Sequence, residues 1–239
     1  MTDLADETRT KLMGVSVATL STALFKRGLR NQTIQDIAPV APKGRNMVGP
    51  AFTLRYIPAR EDLNGLEVFR NPAHPQRAVV EACPAGSVLV MDSRKNPRAA
   101  SAGSILITRR MVRGVAGVVT DGGFRDSPEI AELDMPAYHN RPSAPTNLTL
   151  HQALDHNVPI GCGDVAVWPG DVMVGDDEAV IVVPAGIAEE IADEAVEMTA
   201  FEDFVTEQVV AGKTIIGLYP ATNPQTLTDF AAWRARNGR

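Results

Sequence analysis

An apolar strand placed between two helix starts constrains the fold of this chain more than any other feature. Residues 115–120 form a run of small and apolar residues, and the turn-forming sequence Asp121-Gly122-Gly123 ends it. A helix is predicted on either side of this strand, over 104–113 and over 127–133. Because sites in open α/β sheets form where strand-to-helix loops meet at one edge, the two helix starts are candidates to converge there, and the local sequence leaves this open.

The rest of the chain alternates short strands with a few helices. Helical patterns cover 4–28, 78–83 and 187–211. Strands are predicted over 47–56, 87–91, 135–138, 158–160, 165–167, 172–175 and 179–183. This mixture predicts a single mixed α/β domain and not a regular doubly wound fold.

Three segments carry more specific expectations. Pro50 lies inside the first predicted strand, which indicates an edge strand or a bulge. Residues 58–76 are polar and are predicted to form a loop. Residues 220–239 are polar and interrupted by proline, so we expect a surface tail or an arm that contacts a neighbouring subunit.

Composition argues against nucleic acid or a membrane as the main partner. The 239-residue chain has a net charge of −6, and no Lys/Arg run stands out that would bind phosphates. No apolar run approaches the roughly 20 residues that span a bilayer, and the acidic start lacks a signal-peptide layout. We therefore expect a soluble, cytoplasmic protein, in which the isolated Cys83 and Cys162 are buried or idle thiols of a reducing compartment.

Several common catalytic motifs are absent from the sequence. No GxSxG elbow, P-loop or GxGxxG follows a strand, which argues against serine hydrolase, P-loop nucleotide and dinucleotide chemistry. The four histidines do not have the spacing of a zinc site. His74 and His139 lie in polar segments and are predicted to be solvated, with a place in a pocket as the alternative.

The helix start at Gly103 has two interpretations. The first N–H groups of a helix have no intrahelical acceptor, so this end attracts anions and is a candidate seat for a carboxylate. Gly103 has no side chain to block a close approach. Alternatively, Ser101 or Ser104 simply caps an ordinary helix. The local pattern alone leaves both interpretations open.

The pair Arg125-Asp126 also has two interpretations. Asp126-Ser127-Pro128-Glu129 has the spacing of a capping box, so Asp126 is a candidate helix cap and Arg125 a surface charge. If the two helix starts converge, the same pair instead places a cation and a carboxylate beside the anion seat. The spacing alone does not decide between them.

The segment from Gly103 to Asp126 resembles the family of the regulator of ribonuclease activity A. That family includes the class II 4-hydroxy-4-methyl-2-oxoglutarate/4-carboxy-4-hydroxy-2-oxoadipate aldolases. The similarity rests on a Gly and an Arg-Asp pair 22 positions apart, framing an apolar strand and an Asp-Gly-Gly turn, and it extends over roughly residues 10–219. The resemblance implies a swivelling-type β/β/α domain over 1–219, assembled as a homotrimer or a dimer of trimers with sites between subunits.

The resemblance also implies roles for individual residues. Asp126 matches a ligand of a divalent metal, Mg²⁺ or Mn²⁺, and Arg125 matches the residue that contacts the ketone oxygen of a pyruvate-type 2-oxo acid. The N–H groups of Ser104, Ile105 and Leu106 match the seat of its carboxylate. The implied reaction is retro-aldol cleavage, or decarboxylation of an oxaloacetate-like acid, through a pyruvate enolate.

Ser104 departs from the family pattern. The aldolases carry an acidic residue at this position, which orders a water for proton transfer together with a glutamate from a neighbouring subunit. A serine hydroxyl is not a base near neutral pH. Glu202 is the candidate for the partner glutamate, with Glu197 and Glu207 as alternatives. The resemblance therefore leaves a second function open, that of a non-catalytic regulator of ribonuclease activity.

Overall fold

The computed structural model describes residues 4–239. In this part of the chain the α-helices are α1 Asp6–Met13, α2 Val17–Lys26, α3 Pro75–Ala82, α4 Ser104–Val112, α5 Ser127–Glu132, α6 Ala188–Val210 and α7 Pro224–Asn237. The strands are β1 Ala38–Pro39, β2 Met47–Pro58, β3 Val88–Asp92, β4 Ala100–Ala102, β5 Gly117–Thr120, β6 Gly123–Phe124, β7 Ala137–His139, β8 Arg141–Pro142, β9 His151–His156, β10 Ile160–Cys162, β11 Val165–Val167, β12 Val172–Gly175 and β13 Val180–Val183. Short 3₁₀ helices cover Leu66–Arg70, Asn147–Thr149 and Ala185–Ile187.

The largest sheet has a parallel centre and antiparallel flanks. Its strand order is β1-β7-β5-β3-β2-β12-β13, and β9 also pairs with β2. Strands β7, β5, β3 and β2 are parallel to their neighbours within this group, whereas β12 and β13 continue the sheet in the antiparallel sense. The carboxyl ends of the parallel strands therefore lie at one edge, which is where the candidate site forms.

Both faces of the sheet are covered, because alternate side chains of its central strands point to opposite sides. On one face, Leu89 and Met91 of β3 pack in a cluster with residues of α3, α4 and α5. On the other face, Val88 and Val90 pack against the β10–β11 hairpin. This layering confirms the predicted single mixed α/β domain of the swivelling β/β/α type.

A second group of helices covers the antiparallel end of the sheet. Apolar side chains of α1, α2 and α6 form one cluster with Val172 and Val174 of β12 and with Ile181 and Val183 of β13. These helices match the patterns predicted over 4–28 and 187–211. Within the described residues, none of the helices combines the length and the apolar character that a bilayer-spanning helix needs.

A small three-stranded sheet, β4-β6-β8, was not predicted and positions the candidate site. Strands β4 and β6 are parallel, and the N–H of Arg125 donates to the carbonyl of Ala102 at 3.1 Å. Helix α4 begins just beyond β4, and α5 begins just beyond β6. Because adjacent parallel strands end at the same edge, the two helix starts converge, which the sequence alone left open.

The edge-strand interpretation of Pro50 is wrong. Strand β2 lies in the interior of the large sheet, between β3 and β12, and it is not an edge strand. Proline is tolerated because the pairing with β3 starts one residue later, at Ala51 opposite Val88. The missing N–H of Pro50 therefore removes no hydrogen bond from that ladder.

The C-terminal segment contains a helix that the sequence analysis did not predict. Helix α7 packs on α6 of the same chain through Phe230 and Trp233, whose rings lie 5.5 and 6.1 Å from the ring of Phe204. The side chain of Asn223 caps α7 by accepting from the N–H of Gln225. The expectation that residues 220–239 also contact a neighbouring subunit stays a prediction.

Two histidines differ from expectation, and the cysteines do not. His74 and His139 are 5% and 6% exposed, so the prediction that they are solvated is wrong. Burial lowers the pKa of both rings, that of His139 to about 4, because the protein interior disfavours the charged form. Cys83 and Cys162 are buried free thiols, as predicted.

Candidate active site

Gly103 allows the start of helix α4 to approach the side chains of Arg125 and Asp126. Its φ of −121° and ψ of 174° are extended values that any residue adopts, so glycine is not required for backbone conformation. A Cβ at this position would lie 2.7 Å from Asp126 Oδ2 and 2.8 Å from Arg125 Cγ. Both distances are well below a normal van der Waals contact, so the close packing of these three residues requires glycine.

Asp126 precedes α5 but does not cap it, so the capping-box interpretation is wrong. Its backbone is left-handed, with φ 56° and ψ 38°, whereas a capping residue is normally in the β region. Its Oδ2 atom instead accepts from the N–H of Ser104 at 3.2 Å and from Ser104 Oγ at 3.3 Å. Asp126 is therefore joined to the start of α4, at a conformational cost of roughly 1–2 kcal/mol.

The prediction that a serine caps α4 is also wrong. Gly103 occupies the N-cap position, and no side chain accepts from the helix there as a cap. Ser101 is buried and its Oγ lies 2.7 Å from Oγ atoms of Thr120 and Ser93. The carboxylate of Asp126 takes the place of a local cap at Ser104, which leaves the N–H groups of Ile105 and Leu106 as the remaining donors of the first turn.

Arg125 and Asp126 pair only weakly with each other. Arg125 Nε lies 3.5 Å from Asp126 Oδ1, at the outer limit for a hydrogen bond, and their side chains are 47% and 34% exposed. Exposed ion pairs of this kind contribute about 0–1 kcal/mol, so neither group is committed to the other. Both are available to a ligand.

A cavity of about 440 Å³ opens in front of these groups. It is lined by five of the predicted residues, Gly103, Ile105, Leu106, Arg125 and Asp126. Ser104 joins them through its hydrogen bonds to Asp126. The structure thus brings together a helix start, a cation and a carboxylate at one concave surface.

Most of the rest of the lining comes from two other segments, of which the loop 58–76 is a candidate for shaping specificity that the sequence could not place. These residues are Leu66, Phe69, Gln76, Arg77, Thr146 and Asn147. Phe69 lies on the 3₁₀ helix within the segment predicted as a loop, and its ring packs edge-on against buried His74 at 5.6 Å. No local pattern marks these residues, because only the tertiary fold carries them to within reach of α4.

Asp121, the residue that follows β5, holds neighbouring loops in place through hydrogen bonds. Its two oxygens accept from the backbone N–H groups of Ser93 at 2.7 Å, Lys95 at 3.0 Å and Gly163 at 3.1 Å. Burial raises the pKa of Asp121 to about 6, and these three hydrogen bonds oppose the rise. Asp121 therefore ties two loops to the end of β5 and does not line the cavity.

Glu202 lies outside this cavity within the chain. It is on α6, and its Oε2 accepts from Thr19 Oγ1 at 2.8 Å. The two alternatives are engaged with α7: Glu197 binds Arg234 at 3.0 Å, and Glu207 accepts from Trp233 Nε1 at 2.7 Å. Glu202 is the least committed of the three, but its role in a neighbouring subunit's site stays a prediction.

Comparison with known proteins identifies the family of this chain. The family model described as RraA-like, Aldolase/RraA, matches residues 16–182. The chain belongs to the RraA-like family. A candidate 4-hydroxy-4-methyl-2-oxoglutarate aldolase of Halalkalibacterium halodurans is 30% identical over 186 residues, which are 77% of this chain and 80% of that protein. The resemblance inferred from residues 103–126 is confirmed.

Solved structures agree with this assignment. RraAS2 of Streptomyces coelicolor, described as an unusual member of the RNase ES inhibitor RraA protein family, is 29% identical with a TM-score of 0.75. The alignment covers 85% of this chain and 98% of RraAS2. A protein of Pseudomonas syringae is 25% identical with a TM-score of 0.76, and covers 90% of this chain and 98% of its own. The RraA-like family thus includes relatives named for an aldolase and relatives named for ribonuclease inhibition.

Proposed function

We propose that this RraA-like chain is a divalent-metal-dependent carbon–carbon lyase that acts on a small 2-oxo acid. The reaction is retro-aldol cleavage that releases pyruvate, oxaloacetate decarboxylation, or both, through a pyruvate enolate. The observation that carries the proposal is the convergence of Arg125, Asp126 and the first turn of α4 on one cavity. Aldolase naming of a 30% identical relative supports the same chemistry.

The start of α4 is suited to the carboxylate of the substrate. The N–H of Ser104 is directed at Asp126, so Ile105 and Leu106 provide the free donors of the first turn. A carboxylate near a helix N-terminus gains about 0.3–1 kcal/mol from the helix dipole in addition to these hydrogen bonds. In the proposed complex, these two N–H groups orient the 2-oxo acid with its ketone toward Arg125.

Asp126 fits the requirement for a hard cation. Its oxygens accept only the long hydrogen bonds from Ser104 and the 3.5 Å contact from Arg125, so lone pairs remain for a metal. Among residues 4–239 no group of three or more His, Cys, Asp or Glu side chains is placed to hold an ion. Mg²⁺ or Mn²⁺ tolerates this, because such ions bind through one or two carboxylates and keep several waters. When bound, the ion supplies Lewis-acid polarisation of the ketone oxygen.

Arg125 stabilises the charge that develops on the same oxygen. Cleavage of the carbon–carbon bond moves an electron pair into the enolate, and the ketone oxygen becomes negative. A guanidinium N–H directed at that oxygen binds the enolate more strongly than the neutral ketone, which lowers the barrier. Loss of one such donor typically costs about 10²–10³ in kcat.

Proton transfer separates the two proposed reactions. Retro-aldol cleavage requires a base for the substrate hydroxyl, and Ser104 does not supply one. We propose that Glu202 of a neighbouring copy, in a homotrimer or a dimer of trimers, contributes this carboxylate. Decarboxylation needs no base in its bond-breaking step, so it depends less on the residue at position 104.

Oxaloacetate turnover tests the proposal directly. The purified, folded protein is assayed with Mg²⁺ and with EDTA, with pyruvate formation followed against the spontaneous rate. We expect activity that EDTA abolishes and Mg²⁺ or Mn²⁺ restores. Absence of any EDTA-sensitive activity, on oxaloacetate and on 4-hydroxy-4-methyl-2-oxoglutarate, would refute the lyase.

A second function is favoured by Ser104 and by the similarity to RraAS2. A chain that lacks the acidic residue at position 104 retains the fold of a ribonuclease regulator without full aldol chemistry. Inhibition of an RNase E-type endonuclease, measured for the wild type and for Arg125→Ala, distinguishes the two. Inhibition by both proteins, together with no lyase turnover, supports the regulator.

A further inference from the structure

We propose that Arg77 determines substrate specificity by binding a second carboxylate, at the end of the substrate away from the reacting ketone. The inference rests on the proposed lyase function and adds a residue to it. It concerns the part of the cavity lining that Phe69, Gln76 and Arg77 provide, in the same cavity as Arg125 and Asp126. The carboxylate concerned is one that stays on the carbonyl product after cleavage.

The cavity is larger than the pyruvate part of a substrate needs. Its volume of about 440 Å³ extends from the start of α4 to the segment 66–77. The groups proposed to bind the 2-oxo acid, Arg125, Asp126 and the first turn of α4, form one part of this lining. The part formed by the segment 66–77, called here the far side, is the candidate place for the remainder of the substrate.

Arg77 is the cation on that far side, and nothing else in the described chain neutralises it. Its guanidinium makes no ion pair within 4 Å and no hydrogen bond among residues 4–239, whereas the neighbouring Glu81 is paired with Arg109 and Arg113. The lining amides are already used: Gln76 Nε2 donates to the carbonyl of Ser101 at 2.8 Å, and Asn147 Nδ2 to that of His151 at 3.1 Å. Arg77 therefore has donors to offer a ligand.

The guanidinium of Arg77 is held in place without losing those donors. Its Cζ lies 4.5 Å from the ring centroid of Phe69, and Phe69 is in turn packed against buried His74. Stacking occupies the face of the guanidinium and leaves the N–H groups at its edge free to bind a carboxylate. The arrangement restrains a long side chain in advance, which reduces the entropy cost of binding.

The position of Arg77 is also unfavourable for the helix on which it lies. It is the third residue of α3, and a cation in the first turn opposes the helix dipole. The stack on Phe69 offsets this cost but does not neutralise the charge of the guanidinium. A ligand anion in the cavity would neutralise it.

The chemistry predicts different effects on the two reactions. In retro-aldol cleavage the bond between C3 and C4 breaks, its electron pair forms the pyruvate enolate, the 4-hydroxyl loses its proton to a base, and C3 is then protonated. A carboxylate on C4 stays ionised on the carbonyl product. Its pairing with Arg77 therefore stabilises the bound substrate and the transition state equally, which lowers KM and leaves kcat unchanged. In oxaloacetate the second carboxylate leaves as CO₂. Pairing of that carboxylate with Arg77 would stabilise the reactant and not the transition state, so it would not assist decarboxylation.

The test uses Arg77→Met, Arg77→Lys and, as a matched control, Arg236→Met on the exposed end of α7. Substrates are 4-hydroxy-4-methyl-2-oxoglutarate and its monocarboxylate analogue 4-hydroxy-2-oxopentanoate. Loss of charged hydrogen bonds is expected to raise KM for the dicarboxylate about 10- to 100-fold in Arg77→Met, with kcat unchanged. KM for the monocarboxylate stays within about twofold, Arg77→Lys recovers part of the loss, and Arg236→Met matches the wild type.

Failure of the inference is distinguishable from failure of the proposed function. No turnover by the wild type on either substrate refutes the proposed retro-aldol reaction, and no turnover of oxaloacetate as well refutes the lyase itself. Wild-type turnover with an unchanged dicarboxylate KM in Arg77→Met overturns the role of Arg77. An equal rise in KM for both substrates also overturns it, because a structural defect does not distinguish the second carboxylate. Calorimetric binding of 2-oxoglutarate and pyruvate, with Mg²⁺ present, gives the same comparison without catalysis.

Discussion

Gly103→Ala is the change that most directly tests how the site is built. The extended backbone of Gly103 accepts alanine without strain, so the only perturbation is the added methyl group. That methyl would lie 2.7 Å from Asp126 Oδ2, 2.8 Å from Arg125 Cγ and 3.0 Å from Arg125 Cδ. Both proposed catalytic side chains must therefore move, whereas the core beneath them need not.

The size of the effect follows from the displacement. Moving the carboxylate from 2.7 Å to an ordinary contact of 3.4 Å shifts it by about 0.7 Å. A misplacement near 1 Å in a catalytic site costs on the order of 100-fold, so kcat/KM should fall about 10- to 100-fold. The free energy of unfolding should change by less than about 1 kcal/mol, because the half-exposed arginine moves into solvent and alanine reduces the entropy of the unfolded chain.

The assay compares kcat/KM for the lyase reaction with the thermal midpoint of unfolding. Gly161→Ala is a matched control, since a Cβ at that exposed strand position meets nothing within 4 Å. We expect Gly161→Ala to match the wild type in both measurements. If Gly103→Ala retains more than half of the wild-type kcat/KM, the close approach of α4 to Arg125 and Asp126 does not control the site.

Three further changes test separate parts of the argument. Asparagine tolerates the left-handed backbone of Asp126, so Asp126→Asn changes mainly the metal ligand. Titration with Mn²⁺ should show reduced affinity, and kcat should fall about 10²–10³-fold. Wild-type values for both would exclude Asp126 as a ligand. Ser104→Asp should raise retro-aldol turnover more than decarboxylation, by up to about 10²-fold, and an unchanged ratio of the two rates would contradict the missing-carboxylate explanation. Asp121 has a pKa raised from 3.8 to about 6, so the folded state binds the proton more tightly and loses stability as pH rises through this range. The free energy of unfolding of the wild type minus that of Asp121→Asn, measured with denaturant, should therefore decrease by on the order of 2–3 kcal/mol between pH 4 and pH 6.5. If this difference increases with pH instead, the pKa of Asp121 is not raised in the folded state.

Local sequence patterns predicted the strands and helices around the site because each depends on neighbours in the chain. The apolar run 115–120, the turn that follows it and the two flanking helices agree with the structure. The same local rules were wrong for Asp126, because a left-handed backbone at one residue turns its carboxylate to another helix. They were also wrong for His74 and His139, whose burial depends on packing partners far away in sequence.

The sequence by itself determined the mixed α/β architecture, the family and the pair Arg125-Asp126 as candidate site residues. Only the tertiary structure decided that β4 pairs in parallel with β6, which brings the starts of α4 and α5 together. It also decided that Arg77 and Phe69 form the far wall of the cavity, and that α7 engages Glu197 and Glu207. The physical reason is that periodicity and turn residues report which side of an element is buried, whereas a cavity is formed by segments that no local pattern relates to one another.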